Sequence, residues 1–562
     1  MAGAGHQSPS STRHPALVVA LCAVVAALVY IPALKYQLVW DDQDLIVQNQ
    51  SSPSQAFAHS FWHGGGAGVL GKDPYYRPLS NFSLGMDELV AGHRAWYFHA
   101  VNVLLHAVAV ALVGVVVWQL FGSPWLVLVA GMLCAVHPLA ADSVAYVSGR
   151  TDLLLAIGLL IALLGLLRLQ RRHDWPAMVM VWAGFAVGVL SKETGVMFAL
   201  VAGVWVAAPG IRRARRNDWI TLAGVLILFG VYLAARYAVL GNVVGMSIGP
   251  GVKQWLVLSL NNFGRLLVVS ALPWVWRVFV WNEARQVRPT WFIMVSGLYL
   301  ILPIALRRIR AAREARLGWL WGVAMLLPFA GLAGFGPVGR LVYVPGIGLV
   351  VLMLYLGREK TRGYRGGGAS TVAVALGYCF LLASIALPRR MNVWSDGYTL
   401  FRQMAGESPA YPAAHFNFAF ELRRRGDIDG AMAEYRKAIA LDPTMALAYS
   451  NLGALVQSRG RLAEAESLYL KTIALRPGYA LAWNNLGIVR YRRGDGNGAA
   501  EAFRRALALK PDDAGTVYNL GRLFQQAGIA DSAALLFERA YRLQPGDPQI
   551  RASYEQTHDR QP

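Results

Sequence analysis

Cysteine is almost absent: 562 residues hold only Cys22, Cys134 and Cys379. Each lies inside an apolar run and none forms a CxxC pair. That pattern argues against a disulfide framework or a zinc site and leaves three small core hydrophobes. Acidic residues are also few, 32 against 53 Lys and Arg, for a net charge of +21. A basic excess of this size raises nucleic acid as a partner. The Lys and Arg, however, concentrate in short loops between apolar runs, and no zinc-like or RNA-binding pattern accompanies them. Nucleic acid is therefore set aside, and these read as cytoplasmic loops facing anionic lipid. Charged residues make up only 15% of a chain that is 56% hydrophobic, too apolar for a soluble protein of this length.

Several segments carry the 17 or more nearly uncharged residues that a hydrocarbon core of ~30 Å demands of a helix. After a polar tail at 1–15, the expected spans are 16–34, 97–120, 124–139, 151–168, 175–190, 194–208, 219–240, 290–306, 317–333, 341–357 and 370–388. The first run is longer than a signal peptide's core and reads as an uncleaved span. Two long loops interrupt the series, 35–96 and 241–289. The dense basic loops at Arg168–Arg172, Arg212–Arg216, Arg307–Arg316 and Arg358–Arg365 go to the cytoplasm by the positive-inside rule. This puts the N-terminus inside and the 35–96 loop outside. Residues 255–275 are apolar enough to cross, but a crossing there would turn the last two basic loops outward. With Asn261, Asn262, Arg265 and Pro273 inside it, the segment reads as an interfacial or re-entrant helix. Eleven spans and an outer C-terminus result, with the membrane domain covering 16–389.

Beyond a connector at 390–409 the character changes. Prolines fall at 409, 443, 477, 511 and 545, each 34 residues from the last. Between them recur Ala448-Tyr449-Ser450-Asn451-Leu452-Gly453, Ala482-Trp483-Asn484-Asn485-Leu486-Gly487 and Val517-Tyr518-Asn519-Leu520-Gly521. Each is followed by a Gly turn and an Ala-rich second helix. This is the helix–turn–helix period of the tetratricopeptide repeat. Four repeats over 410–545, with a tail at 546–562, stack into an α-solenoid whose concave groove suits an extended peptide, or serve as a rigid spacer or dimerisation arm. The fold class is all-α, a polytopic helical membrane domain followed by a repeat solenoid.

Charge at membrane depth is costly and usually functional, and on this topology many ionisable residues fall on the outer side. The adjacent pair Asp41-Asp42 begins seven residues beyond the first span. Arg77 lies in the same 35–96 loop, and His137, Asp142, Arg150, Lys192, Glu193, Arg236, Arg340 and Tyr343 lie at or near the outer ends of other spans. A carboxylate can take the proton of an acceptor hydroxyl as it attacks a sugar's anomeric carbon. Arg or Lys can hold the charge developing on a phosphate leaving group. Each residue also has a bland reading: the aspartates as caps or turn formers, His137 as a helix-end histidine, Lys192-Glu193 as a mutual pair. Asp42-Gln43-Asp44 matches a DxD metal pattern that many loops share, so a divalent metal at Asp42 and Asp44 stays an alternative.

Trp40-Asp41-Asp42 with Asn49, Tyr76-Arg77-Pro78-Leu79, and Phe98 through His106 stand in a recognisable order. His137-Pro138-Leu139, Val147-Ser148-Gly149-Arg150-Thr151-Asp152, Ser191-Lys192-Glu193, Arg340 through Pro345, and Trp394 through Phe401 complete the set. Together they resemble the transmembrane and tetratricopeptide-repeat-containing O-mannosyltransferase family and its bacterial relatives, within the GT-C class of glycosyltransferases. The resemblance runs in order over nearly the whole chain. It implies a polyprenyl-phosphate-sugar donor and transfer to a hydroxyl of an exported protein. In such enzymes an acidic pair in the first outer loop supplies the base, which here is Asp41 with Asp42 as its neighbour.

The expectation is an inverting membrane glycosyltransferase. In it, Asp41 deprotonates a Ser or Thr hydroxyl, Asp42 orients the site, and Arg77, Arg150, Lys192 and Arg340 contact the donor phosphate. His137, Asp142, Glu193, Arg236 and Tyr343 complete the site, and the repeats engage the acceptor polypeptide. The membrane is a bacterial inner membrane with a periplasmic solenoid, or the endoplasmic reticulum with a lumenal one. The rival readings are a non-catalytic envelope scaffold and a transferase acting on glycan or lipid acceptors.

Overall fold

The computed structural model describes residues 15–42, 46, 53–58, 75–207, 215–241, 252–271, 291–305, 312–330, 338–361 and 367–558. Among them every regular element is helical. The chain divides into two compact units, Met1–Gln403 and Met404–Pro562.

In the first unit a helix stands at each expected span. They are α1 (Pro15–Val29), α3 (Ala95–Phe121), α4 (Pro124–Val136), α5 (Arg150–Arg172), α6 (Trp175–Ser191), α7 (Phe198–Ala207) and α8 (Arg216–Leu240). The series continues with α10 (Trp291–Ala305), α11 (Arg313–Ala330), α12 (Val338–Thr361) and α13 (Gly367–Leu381). The long first loop adds α2 (Pro78–Ala91), and the 255–275 segment is part of α9 (Val252–Ala271). Asn261 and Asn262 are buried on α9, and Arg265 lies over the Phe292 ring of α10; Pro273 is outside the described residues.

Among the described residues six helical segments are individually long and apolar enough to cross a bilayer, and they include α1, α3, α5 and α8. A seventh is the pair Pro124–Val136 and Pro138–Val144, bent by 50° at His137-Pro138. The proline removes an N–H from the helix ladder and its ring displaces the preceding carbonyl, so the helix breaks there. α6 is shorter, and α7 starts as a tight turn over Glu193–Met197. With this number of apolar helices the chain is an integral membrane protein.

Close packing of α5 on α6 depends on small residues. A Cβ at Gly184 would come within 2.4 Å of the Ala162 nitrogen and the Gly158 carbonyl, so only glycine lets the backbones approach this far. Helices in lipid gain from such approach because van der Waals contact replaces the missing hydrophobic drive.

The second unit is a run of helical hairpins. The first two are Pro412–Arg424 with Ile428–Leu441 and Ala446–Ser458 with Leu462–Leu475. Ala480–Arg492 with Gly496–Leu509 and Ala514–Gln526 with Ala530–Leu543 follow, then the single helix Pro548–His558. Each hairpin turns on a glycine of positive φ: Gly426, Gly460, Gly494 and Gly528, at +73° to +84°. Only glycine adopts that geometry without a Cβ clash. Inside the hairpins an aromatic ring of the second helix packs on a glycine of the first. A Cβ at Gly487 would lie 2.5 Å from the Phe503 ring, and Gly453 and Gly521 face Tyr469 and Phe537 in the same way.

Candidate active site

Trp40 carries φ = +52°, one of two non-glycine residues with positive φ among those described. A bulky side chain in the left-handed region is strained and persists only where its surroundings hold it. The restraint is visible. Asp42 is fully buried, and its carboxylate accepts four hydrogen bonds. These come from the Ser148 N–H at 2.8 Å, the Ser148 hydroxyl at 2.6 Å, the Val39 N–H at 3.3 Å and the Val147 N–H at 3.4 Å. Burial pushes the Asp42 pKa up to about 7, although these donors and their preference for the ionised form act the other way. Asp42 thus pins the loop after α1 to the segment before α5. Its neighbour Asp41 is half-buried and lies against the Tyr146 hydroxyl.

Tyr146 is fully buried and stacks with two indoles, Trp40 at 6.1 Å and Trp394 at 4.6 Å between centroids. The Arg340 guanidinium stands 5.0 Å from the same ring. One tyrosine thus meets Asp41 through its hydroxyl and a cation through its ring.

Behind Arg340 lies a connected charge cluster drawn from five parts of the chain. Asp152, at the start of α5, accepts from Arg340 at 2.9 Å and from Lys192. Arg340 also donates to the Ser148 carbonyl at 3.1 Å and to the Thr151 hydroxyl at 3.2 Å. Arg77, just ahead of α2, forms a two-point pair with Glu193 at 2.7 and 2.8 Å. Arg236, near the end of α8, joins through Tyr232, which also feels Glu193 and Arg77. Four cations face two carboxylates here. Buried ions settle close to neutrality, so an excess of positive charge at the end of a helical bundle is suited to an anion, and Arg in particular to phosphate oxygens.

Two expected site residues lie in other networks. Arg150 is fully buried in an ion pair with Asp87, and it also donates to Asn102 at 2.9 Å, to Ser83 and to the Phe98 carbonyl. Its donors fasten α2 and α3 to α5. Asp142 is held by Arg390 at 2.8 Å, by the Trp394 indole at 3.1 Å and by the Gly339 N–H at 2.9 Å. It fixes the residue before Arg340 and the connector at once. His137 and Tyr343 line an apolar cavity, and the Tyr343 hydroxyl lies 2.7 Å from His106 Nδ1. Asp44 is outside the described residues. Among the described residues no group of three or more His, Cys, Asp or Glu is placed to hold a metal.

Tyr146 and Arg390 were not singled out by the sequence reading. Tyr146 directly precedes the Val147–Asp152 motif. Arg390 is a charge at the far end of the last span, on the side where the positive-inside rule expects few. Both were legible only as weak signals.

The comparisons with known proteins bear on these residues. The profile of the family described as "Dolichyl-phosphate-mannose-protein mannosyltransferase" matches residues 76–234, which hold Arg77, Asp152, Lys192 and Glu193. Tetratricopeptide-repeat profiles match 421–460, 444–512 and 484–548. "Protein O-mannosyl-transferase Tmtc2" of Drosophila melanogaster is 32% identical over 45% of this chain and 28% of its own length. "Protein O-mannosyl-transferase TMTC1" of Homo sapiens is 23% identical over 78% of this chain and 57% of its own. The chain is a relative of the tetratricopeptide-repeat-bearing protein O-mannosyltransferases. It spans less than two thirds of the length of these two family members. A solved repeat structure, "Crystal structure of MamA protein", aligns over 26% of this chain and 81% of its own at 25% identity and a TM-score of 0.25.

Proposed function

We propose that this chain is a GT-C-type, inverting glycosyltransferase. It moves a sugar, mannose or a similar hexose, from a polyprenyl-phosphate carrier to Ser or Thr hydroxyls of exported proteins. The observation that carries the reading is the pairing of Asp41 with an over-positive buried cluster across a single tyrosine ring. Asp41 takes the hydroxyl proton, and the oxygen attacks the anomeric carbon from the face opposite the phosphate. The bond to phosphate breaks, and the electron pair leaves on a phosphate oxygen held by Arg340, Lys192 and Arg77. Asp42 plays no part in proton transfer; it holds the loop that aims Asp41. Cation stabilisation and general-base catalysis each contribute factors of about 10²–10⁴ in such reactions.

The basic loops support an outer location for Asp41 and for the repeats, which would engage the acceptor polypeptide there. Tethering alone raises the local acceptor concentration to ~mM for a suitable linker. The test replaces Asp41 with Asn and follows glycosylation of exported proteins at equal protein abundance. Lost glycosylation supports the transferase, whereas unchanged glycans with a defect seen only on removal of 410–545 return the chain to a scaffold.

A further inference from the structure

Ser148 supplies both of the short hydrogen bonds to Asp42, from its N–H at 2.8 Å and from its hydroxyl at 2.6 Å. The other two donors to that carboxylate, the Val39 and Val147 N–H groups, stand off at 3.3 and 3.4 Å. The hydroxyl bond has the length of an O–H donating to a carboxylate, a bond about twice as strong as a neutral one. At its other end, the Ser148 carbonyl accepts from Arg340 at 3.1 Å and from the Thr151 hydroxyl at 3.4 Å. Residues 147–149 form a turn of 3₁₀ helix. In such a turn a residue's N–H is the positive end of the peptide dipole and its C=O the negative end, and the two point opposite ways. The anion therefore sits at one end of Ser148 and the cation at the other.

Tyr146, two residues earlier, meets the same two sides through its hydroxyl on Asp41 and its ring against Arg340. Three consecutive residues, 146–148, thus serve Asp41, Asp42 and Arg340. The turn itself is tightly seated. The Gly149 N–H donates to the Tyr146 carbonyl at 3.0 Å, and a Cβ at Gly149 would collide with the Ser143 backbone, so only glycine lets the turn lie this close. Ser148 is buried, which keeps water from competing for its bonds.

We propose that Ser148 is a positioning residue: through Asp42 it sets the Asp41 carboxylate relative to Arg340, so that the base and the cation at the leaving group keep one separation. The inference rests on the transferase reading above. Ser148 acts on no reacting atom; it acts through Asp42 and the loop after α1. Misplacement of a catalytic group by about 1 Å can cost ~10²-fold in rate. The Arg340 contact runs to the Ser148 backbone carbonyl, so a change of side chain leaves it in place. The aim of Asp41 depends on the hydroxyl, whereas the hold on the donor does not.

The test is steady-state transfer by the full chain in lipid nanodiscs, from a short-chain polyprenyl-phosphate mannose to a peptide containing serine and threonine, with rates taken per folded molecule. Ser148→Ala should lower kcat by about 10²-fold with donor KM unchanged. Ser148→Cys, whose S–H is a weak donor, should fall between serine and alanine. In an Asp41→Asn chain, Ser148→Ala should cost nothing further, because residues that act as a unit are not additive. An equal loss in both backgrounds makes Ser148 a prop for the fold and overturns the assignment, as does a raised donor KM at normal kcat. Unchanged kcat in Ser148→Ala, with Asp41→Asn strongly impaired, also overturns it and leaves the transferase reading intact. Full transfer by Asp41→Asn removes both.

Discussion

Arg340 stands 5.0 Å from the centre of the Tyr146 ring, whose hydroxyl lies against Asp41. The residue proposed to take a proton and the residue proposed to hold the leaving group share one fully buried aromatic spacer. Trp40 and Trp394 stack on that spacer.

Tyr146→Phe keeps the stack and removes the hydroxyl beside Asp41. The expected outcome is a fall in kcat with donor KM unchanged, because an interaction with the base is lost and the donor's contacts are not. Steady-state kinetics with a lipid-linked sugar and an acceptor peptide measures it. A raised KM at normal kcat would assign Tyr146 to donor binding instead.

Arg340→Lys retains charge but cannot serve Asp152, Ser148 and Thr151 together, since lysine lacks the planar fork. A loss of about 2–5 kcal/mol in transition-state stabilisation is expected, as for a disrupted buried charge pair, read as a fall in kcat/KM. Arg150→Lys should act differently, lowering the melting temperature more than the rate per folded molecule, because Arg150 fastens helices together.

Asp142→Ala leaves Arg390 buried without its carboxylate. Destabilisation of about 3–5 kcal/mol follows from an uncompensated buried charge, visible as a lower melting temperature in detergent. Removing both partners with Asp142→Leu and Arg390→Met should recover part of the loss. A double variant as unstable as the single one would show that the Trp394 and Gly339 contacts carry the effect.

The pH dependence of stability should carry the mark of Asp42. Its folded pKa is raised to about 7 from the ordinary 3.8. The folded chain therefore binds a proton that the unfolded chain has released between these values. The resulting stability is full below pH 4 and is lost as pH rises through about 7. Asp42→Asn has no such proton, so its melting profile across pH 4–8 should be flatter than the wild type's. Parallel profiles would place the titration elsewhere.

Within the repeats, Gly487→Val drives a side chain into the Phe503 ring, from which a Cβ is only 2.5 Å away. Overpacking of this kind costs about 1–3 kcal/mol. Limited proteolysis should cut the 480–509 hairpin faster, with the membrane unit as resistant as before.

The helices were legible in the sequence because their causes are local. A run of apolar residues long enough to cross lipid must satisfy its own backbone, so α1, α3, α5 and α8 stand where the runs stand. The repeats were equally plain, since each hairpin needs its glycine turn and small packing position at the same place, and Gly426, Gly460, Gly494 and Gly528 recur every 34 residues.

What the charged residues do was decided by tertiary structure alone. Arg77 and Arg150 carry the same group, yet one joins the charge cluster through Glu193 and the other is locked to Asp87. Asp41 and Asp42 are adjacent in the chain, yet one is half-buried beside Tyr146 and the other is enclosed by four donors. The difference lies in partners brought in from distant segments, such as Ser148 for Asp42 and Arg390 for Asp142. Helix propensity and hydropathy are properties of neighbours along the chain, whereas the balance of a buried charge depends on whatever the fold packs against it.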